Sequence, residues 1–386
     1  MFNQHKVDLS INLHFLIVFG LSFPWLMSAT NVFDVQPWVP IAAFAFWLLV
    51  RKPTRPTIQS ILLLFLILGI FIVVNFKTPP LTSIRMISAI LIFYFCFFAS
   101  LYSNQPDQIM ISLKYSNVVY VLAGLIQLMI SNDVFSFMVE VRTTDSRGVT
   151  SLATEPTFFG MVLVLYSFAY LILEKRIAPL VIVNAIVILL IAKSATAFIG
   201  LSIMFAGYVL SSWSFRKTVL SFIAVVMMFI VSHYLLTNFY FGRISILYTS
   251  IISDPFIVFE ADRSAQIRLN HIISAWLISM ENYLVPVPEH EISIRRFTSI
   301  SQLSTLDLAI NSDSDKTSSY LGSFLIPFGA MFIVASILIT IKLSNNAPLP
   351  ICVSLYIVLL LSVPPSLPLV PIILGLAIRP RETQNA

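Results

Sequence analysis

The chain has 386 residues, 58% of them hydrophobic and 11% charged, with a formal net charge of +5. The charged share is under half of the roughly 25% usual in a soluble domain, and the mean hydropathy is +0.91. A soluble fold is excluded, and the scattering of basic residues over short loops excludes a nucleic-acid patch.

What remains is an all-α polytopic membrane protein. Lys6 precedes an apolar run that continues to about Ala29. That run is too long for a signal-peptide core of about 7–15 residues and reads as an uncleaved first span. Further candidate spans follow at about 38–50, 57–76, 82–103, 115–131, 155–173, 177–192, 195–212, 218–238 and 320–341, the first being 11–30. The run 349–378 is too long for one helix and is broken by Pro364, Pro365 and Pro368, giving two short spans or a re-entrant hairpin. The total is about twelve transmembrane helices. Cys96 and Cys352 fall inside apolar runs and read as packing residues, with no disulfide framework or metal-ligand spacing.

Basic residues in short loops set orientation. Lys6, Arg51, Lys52, Arg55, Lys114, Lys175, Arg176, Arg216, Lys217, Lys342, Arg379 and Arg381 all fall on one side, whereas the loops 31–37 and 77–81 hold only Lys77. Both termini are therefore expected in the cytoplasm. The loops 132–154 and about 239–319 are expected outside. The chain divides into 1–238 with nine spans, the large outer loop 239–319, and the C-terminal spans in 320–386. Arg85, inside the fourth span, either snorkels or points into a cavity.

The segment Arg147–Gly160 reads RGVTSLATEPTFFG and opens a long apolar run. Pro156 suits the first turn of a helix, where a missing N–H costs nothing. Thr154 is the expected N-cap. Glu155 then lies at the start of a membrane helix, near the bilayer surface. Two readings stand for it. One is a partner of the helix dipole; the other is a functional group at the edge of a membrane cavity.

The large outer loop contains a helical pattern. Asp262 is a plausible cap. Ala265, Leu269, Ile272, Ile273, Trp276 and Leu277 recur on one face, and Arg263, Ser264, Arg268, His271 and Ser274 on the other. An amphipathic helix of this kind is expected to lie in the membrane interface with its basic face toward an anionic ligand. The alternative is a solvated surface helix. The stretch 298–319 is rich in Ser, Thr and Asp and reads as a linker, so its Asp313-Ser314-Asp315 is read as solvated rather than as a metal site.

On the outer side the sequence thus gathers Glu155 with Arg142, Arg147, Arg243, Arg263, Arg268 and His271. Arginine binds phosphate oxygens through a planar fork. A departing pyrophosphate needs its growing charge stabilised by preorganised donors. A hydroxyl acceptor calls for a base, and a carboxylate is one option. Phosphate-loop, dinucleotide, serine-hydrolase and zinc-protease motifs are missing from the sequence.

With these residues in view, SRGVTSLATEPTFFG resembles the Arg…Glu-Pro-Ser-x-Phe-Gly signature of Wzy-type O-antigen and exopolysaccharide polymerases, kin of the O-antigen ligases. IAKSATAFIGL from Ile191 is similar to the Ser-rich span start that follows in that family, and DRSAQIR resembles its loop segment ahead of a helix. The resemblance implies a GT-C-like membrane fold in the bacterial inner membrane. It implies transfer of a glycan from an undecaprenyl-pyrophosphate carrier to a lipid-linked repeat unit at the outer face, without cofactor, metal or nucleotide sugar. A chain-length regulator and a flippase are the implied protein partners, beside membrane lipid; nucleic acid is not. By motif position, Arg147, Glu155 and Arg268 fall on the family's catalytic residues, with Arg243 as a further match. Two features depart from the pattern. The loop reads ENYLVPVPEHEI without the family's glycine turn, and Ser318-Ser319-Tyr320 stands where a histidine is expected, leaving His271 or His290 as substitutes. An O-antigen ligase and a flippase or secondary transporter are the competing readings. A transporter is expected to show repeated halves and broken helices, and neither is visible in the sequence.

Overall fold

The structure is a computed structural model and describes residues 13–26, 36–49, 55–142, 148–175, 177–211, 234, 238, 263–292, 319–361 and 363–379. Regular structure among these residues is helical: α1 (Leu13–Leu21), α2 (Trp38–Leu48), α3 (Arg55–Val74), α4 (Pro80–Tyr102), α5 (Pro106–Met129), α6 (Pro156–Ala169), α7 (Pro179–Val187), α8 (Ala195–Ser211), α9 (Arg263–Glu281), α10 (Tyr320–Phe328), α11 (Ala330–Ser344), α12 (Leu349–Leu360) and α13 (Leu369–Ile378). The span expected at 218–238 lies outside the described residues except for Tyr234 and Asn238.

Proline sets many of the starts. Pro80, Pro106, Pro156 and Pro179 each occupy the first turn of their helix, where φ is preset and no donor is lost. Pro106 moves the fifth span earlier than its apolar run suggests. Lys114 therefore sits within α5 rather than in a loop, and its Nζ lies 2.5 Å from Glu174 Oε1. The first span is shorter than expected: α1 stops at Leu21, and residues 22–26 form turns with Phe23 and Trp25 buried. The final apolar run does resolve into two short helices, α12 and α13.

Among the described residues, helices α4, α5 and α6 with its extension to Glu174 contain three stretches long and apolar enough to cross a bilayer, Ser83–Tyr102, Pro106–Met129 and Pro156–Glu174. Seven further apolar helices are shorter. Leu62, Leu63, Phe65, Leu66 and Val73 of α3 and Val334, Ile337, Leu338 and Ile341 of α11 stand exposed on the outside of the bundle. In water such a surface would be unstable; in lipid it is the expected exterior. The chain is a membrane-embedded helical protein. Inside, α4 packs between α2 and α13, α8 between α6 and α12, and α5 on α1. Helices approach closely where residues are small: a methyl group on Gly375 of α13 would lie 2.4 Å from the Phe97 carbonyl of α4.

The expected single span at 320–341 is broken. Pro327 and Gly329 interrupt it, and Gly329 adopts φ +52°, ψ −129°. The segment after α9 fills the break: Ala330 N–H donates to Leu284 O at 2.9 Å and Val287 N–H donates to Ile326 O at 3.0 Å. Only glycine fits, because a Cβ there would lie 1.9 Å from Leu284 O. Gly329→Ala is expected to lower the stability of the detergent-solubilised protein by roughly 2 kcal/mol or more. Thermal unfolding checks this, and an unchanged midpoint would show that the break relaxes. The expectation of unbroken helices fails here, whereas α6 and α7 continue into π-helical turns, Tyr170–Glu174 and Ile188–Ala192.

Helix α9 also differs from expectation. It packs along α10, and its buried face carries His271, Ser274, Ala275, Ile278 and Ser279, while Trp276 and Met280 are exposed. Of the expected polar face, His271 and Ser274 point inward beside Ala275 and Ile278, and of the expected apolar face Trp276 points outward. Small and hydroxylated side chains of α9, Ser274, Ala275 and Ser279, lie in the buried face beside Ile278. Ala275 shows the fit, since a Cβ on Gly322 of α10 would meet its Cβ at 3.0 Å.

Candidate functional site

The segment ahead of α6 forms a buried loop locked between α5 and the α7–α8 junction. Its polar backbone needs partners, and α5 supplies them. Gln127 Oε1 accepts from Ser151 N–H at 2.6 Å, and Gln127 Nε2 donates to Thr150 Oγ1 at 3.1 Å and to Asn132 O. Ser151 Oγ donates to Tyr120 O at 2.7 Å. Ser151 is fully buried at φ +54°, a conformation a serine holds only when its surroundings fix it.

The other wall is the α7–α8 junction. Val149 N–H donates to Ile191 O at 3.2 Å. A Cβ on Gly148 would lie 2.1 Å from Ala192 O, so only glycine permits this approach. Deeper in, a Cβ on Gly160 of α6 would meet Ala197 Cβ of α8 at 2.5 Å. The two stretches that resemble the polymerase signature, 146–160 and 191–201, are therefore in direct contact from Gly148 to Gly160.

Glu155 occupies the N-cap position of α6, one residue later than the expected cap Thr154. The reason is Pro156, which disfavours helical backbone in the residue before it and holds Glu155 extended at φ −137°, ψ 151°. Its carbonyl accepts from Phe159 N–H at 3.1 Å, but its carboxylate makes no capping hydrogen bond. The side chain is half-buried. The carboxylate is thus placed beside the positive end of α6 without being used to close it.

Arg142 is tethered to the same place by its backbone, whose N–H donates to Thr154 O at 2.8 Å. Its guanidinium bonds Glu140 Oε2 at 3.0 Å in a half-exposed pair, a contact worth at most about 1 kcal/mol and readily exchanged for an anion. Arg147 and Arg243 lie outside the described residues. Arg263 and Arg268 are placed by the backbone of α9, Arg268 one turn before His271. His271 is 4% exposed on the face of α9 that packs inward. A base at that depth does not meet a substrate on an open surface; the side chains of Arg263 and Arg268 on the same expected face lie outside the described ones. The far end of the large loop does reach the bundle: His290 Nδ1 lies 3.2 Å from Thr78 Oγ1 in the turn between α3 and α4. Because α4 ends and α5 begins within four residues, that turn lies at the Glu155 end.

Lys193 is a further cation at this end, beside the residues gathered from the sequence. It closes the π-helical turn of α7 in a left-handed conformation, φ +47°, directly after the Ala192 carbonyl that Gly148 touches. Its signal in the sequence was a lone cation at the junction of two short apolar runs, inside IAKSATAFIGL. Among the described residues, no group of three or more His, Cys, Asp or Glu side chains is placed to hold a metal.

Comparison with known proteins adds no further guide: no family model, no curated protein and no solved structure matches the chain.

Proposed function

We propose that the chain is a polysaccharide repeat-unit polymerase of the Wzy type, acting at the outer face of the bacterial inner membrane. A hydroxyl of the lipid-linked acceptor repeat unit attacks the anomeric carbon of the donor glycan. The bond from that carbon to the pyrophosphate oxygen breaks, and undecaprenyl pyrophosphate leaves with the negative charge. The acceptor proton passes to Glu155 as base. Arg147 and Arg268 stabilise the pyrophosphate as its charge grows, with Arg142, Arg243, Arg263 and Lys193 adding positive charge around it. About twelve spans in a GT-C-like arrangement are part of the same reading.

What supports it is the interlock of the segments 148–155 and 191–197, which carries the Glu155 carboxylate and the Lys193 turn at one end of the bundle. The test uses the purified protein in proteoliposomes with undecaprenyl-pyrophosphate-linked repeat units as both donor and acceptor. A ladder of glycans rising by one repeat unit is expected. Transfer only when lipid A is supplied would make the protein an O-antigen ligase instead.

A lipid-linked glycan flippase is the second reading, and the broken helix at Gly329 favours it, since transporters use discontinuous helices. Movement of the lipid-linked unit across the bilayer without a new glycosidic bond would establish that reading and overturn the first.

A further inference from the structure

At the end of the bundle opposite Glu155 lies a cavity of about 490 Å³ whose polar lining includes Asp107, Lys114, Glu174, Lys175, Asn346 and Arg379. The stretch Pro156–Glu174 separates the two ends by 19 residues, about 28 Å at 1.5 Å per residue. The cavity is therefore independent of the proposed polymerase site.

Its geometry follows from four helix ends. Lys175 leaves α6 in a left-handed conformation, φ +57°. Asn346, after α11, donates from Nδ2 to Ala377 O at 2.8 Å and Arg379 O at 3.4 Å, which pins the end of α13. Asp107 lies in the first turn of α5, within electrostatic range of Arg379. Lys114 is committed to Glu174, whose side chain is 15% exposed.

Among the described residues of the lining the charges do not balance. Three cations, Lys114, Lys175 and Arg379, face two carboxylates, Asp107 and Glu174. Arg379 Nη1 is buried and has no hydrogen-bond partner among the described residues. A buried guanidinium N–H without an acceptor is costly, and an anion entering the cavity would satisfy it. Apolar side chains of α5, the end of α6 and α13 complete the wall, a lining suited to the glycerol and upper acyl part of a lipid rather than to a bare ion.

We propose that this cavity binds a singly charged phosphate ester, supplied by the headgroup of an anionic phospholipid. The excess of one positive charge matches one phosphodiester, and Arg379 donates to its oxygens while Lys175 covers the outer side. Basic pockets between membrane helices are established places for such headgroups.

The test uses the full chain, purified and delipidated in a neutral detergent, with retained lipid counted by native mass spectrometry. Dioleoylphosphatidylglycerol is expected to bind more tightly than dioleoylphosphatidylcholine. Arg379→Gln is expected to reduce that preference by about fivefold, the scale of one basic residue beside an anionic headgroup, and Arg379→Lys to retain part of it. Lys175→Gln, a change at an exposed turn, provides a second reading should Arg379→Gln fail to fold, and is expected to weaken the preference as well. Equal binding of the two lipids by wild type, or an undiminished preference in the folded variants, would overturn the proposal. Displacement of phosphatidylglycerol by millimolar inorganic phosphate would reassign the site to a soluble phosphate and overturn the lipid source.

Discussion

Glu155→Gln is expected to yield folded, membrane-inserted protein that forms polymer at least about a hundred-fold more slowly, the scale of general acid–base catalysis. The expectation rests on the N-cap geometry. Glu155 sits at the N-cap of α6, yet its side chain makes no capping hydrogen bond. Its loss therefore forfeits no cap, and as a dipole partner alone it would contribute only about 0.3–1 kcal/mol of stability. Glutamine keeps the shape and an acceptor oxygen and removes the charge and the basicity. The measurement is polymer formed per unit of purified enzyme from lipid-linked repeat units, since glycan on cells would mask a slow enzyme. Glu155→Asp moves the carboxylate back by one methylene and is expected to fall between the two. Near-wild-type turnover in Glu155→Gln would make the carboxylate structural and leave the proposed mechanism without its base.

Much of the architecture was legible because apolar length and proline position are local signals. The start of α6 follows from Pro156, and the split of 349–378 from its three prolines. Helix breaks were less legible. Pro327 and Gly329 lie inside an unbroken apolar run, and what makes them a break is the docking of Leu284 and Val287, about 40 residues earlier in the chain. The sequence carries no local trace of that contact.

The face of α9 was misread for a different reason. Periodicity identified two faces but not the solvent each would meet. The expected polar face holds His271 and Ser274, and both are buried beside Ala275 and Ile278, while Trp276 of the expected apolar face is exposed. For the candidate site, the sequence pointed to Glu155 and to both motif segments, but it did not reveal that they interlock. That depends on Gly148 meeting the Ala192 carbonyl and on Gln127 reaching across from α5 to Ser151. Lys193 was passed over because a single cation between apolar runs reads as a loop charge until its neighbours are known.

The inward turn of α9 gives the arginine prediction its weight. Were α9 a helix lying free in the interface, Arg268 would be one exposed charge among several, and its loss would change turnover little. Because α9 is packed against α10 as far as His271 and beyond, the backbone at Arg268 is one turn from a fixed, buried contact. Preorganised donors to a growing negative charge are worth about a hundred- to a thousand-fold each, and that is the role proposed for Arg268. Arg268→Ala is therefore expected to lower turnover by about that factor at near-normal protein level, and Arg147→Ala to behave similarly. Arg268→Lys is expected to restore only part, since lysine keeps the charge but loses the planar fork that grips two phosphate oxygens. The discriminating quantity is turnover of each purified variant at saturating lipid-linked repeat unit, because a residue that only attracts the donor would raise the half-saturating concentration and leave the maximal rate intact. Full activity in Arg268→Ala would place the pyrophosphate site away from α9, leaving that helix a packing element and Lys193, beside the Glu155 loop, as the next cation to test.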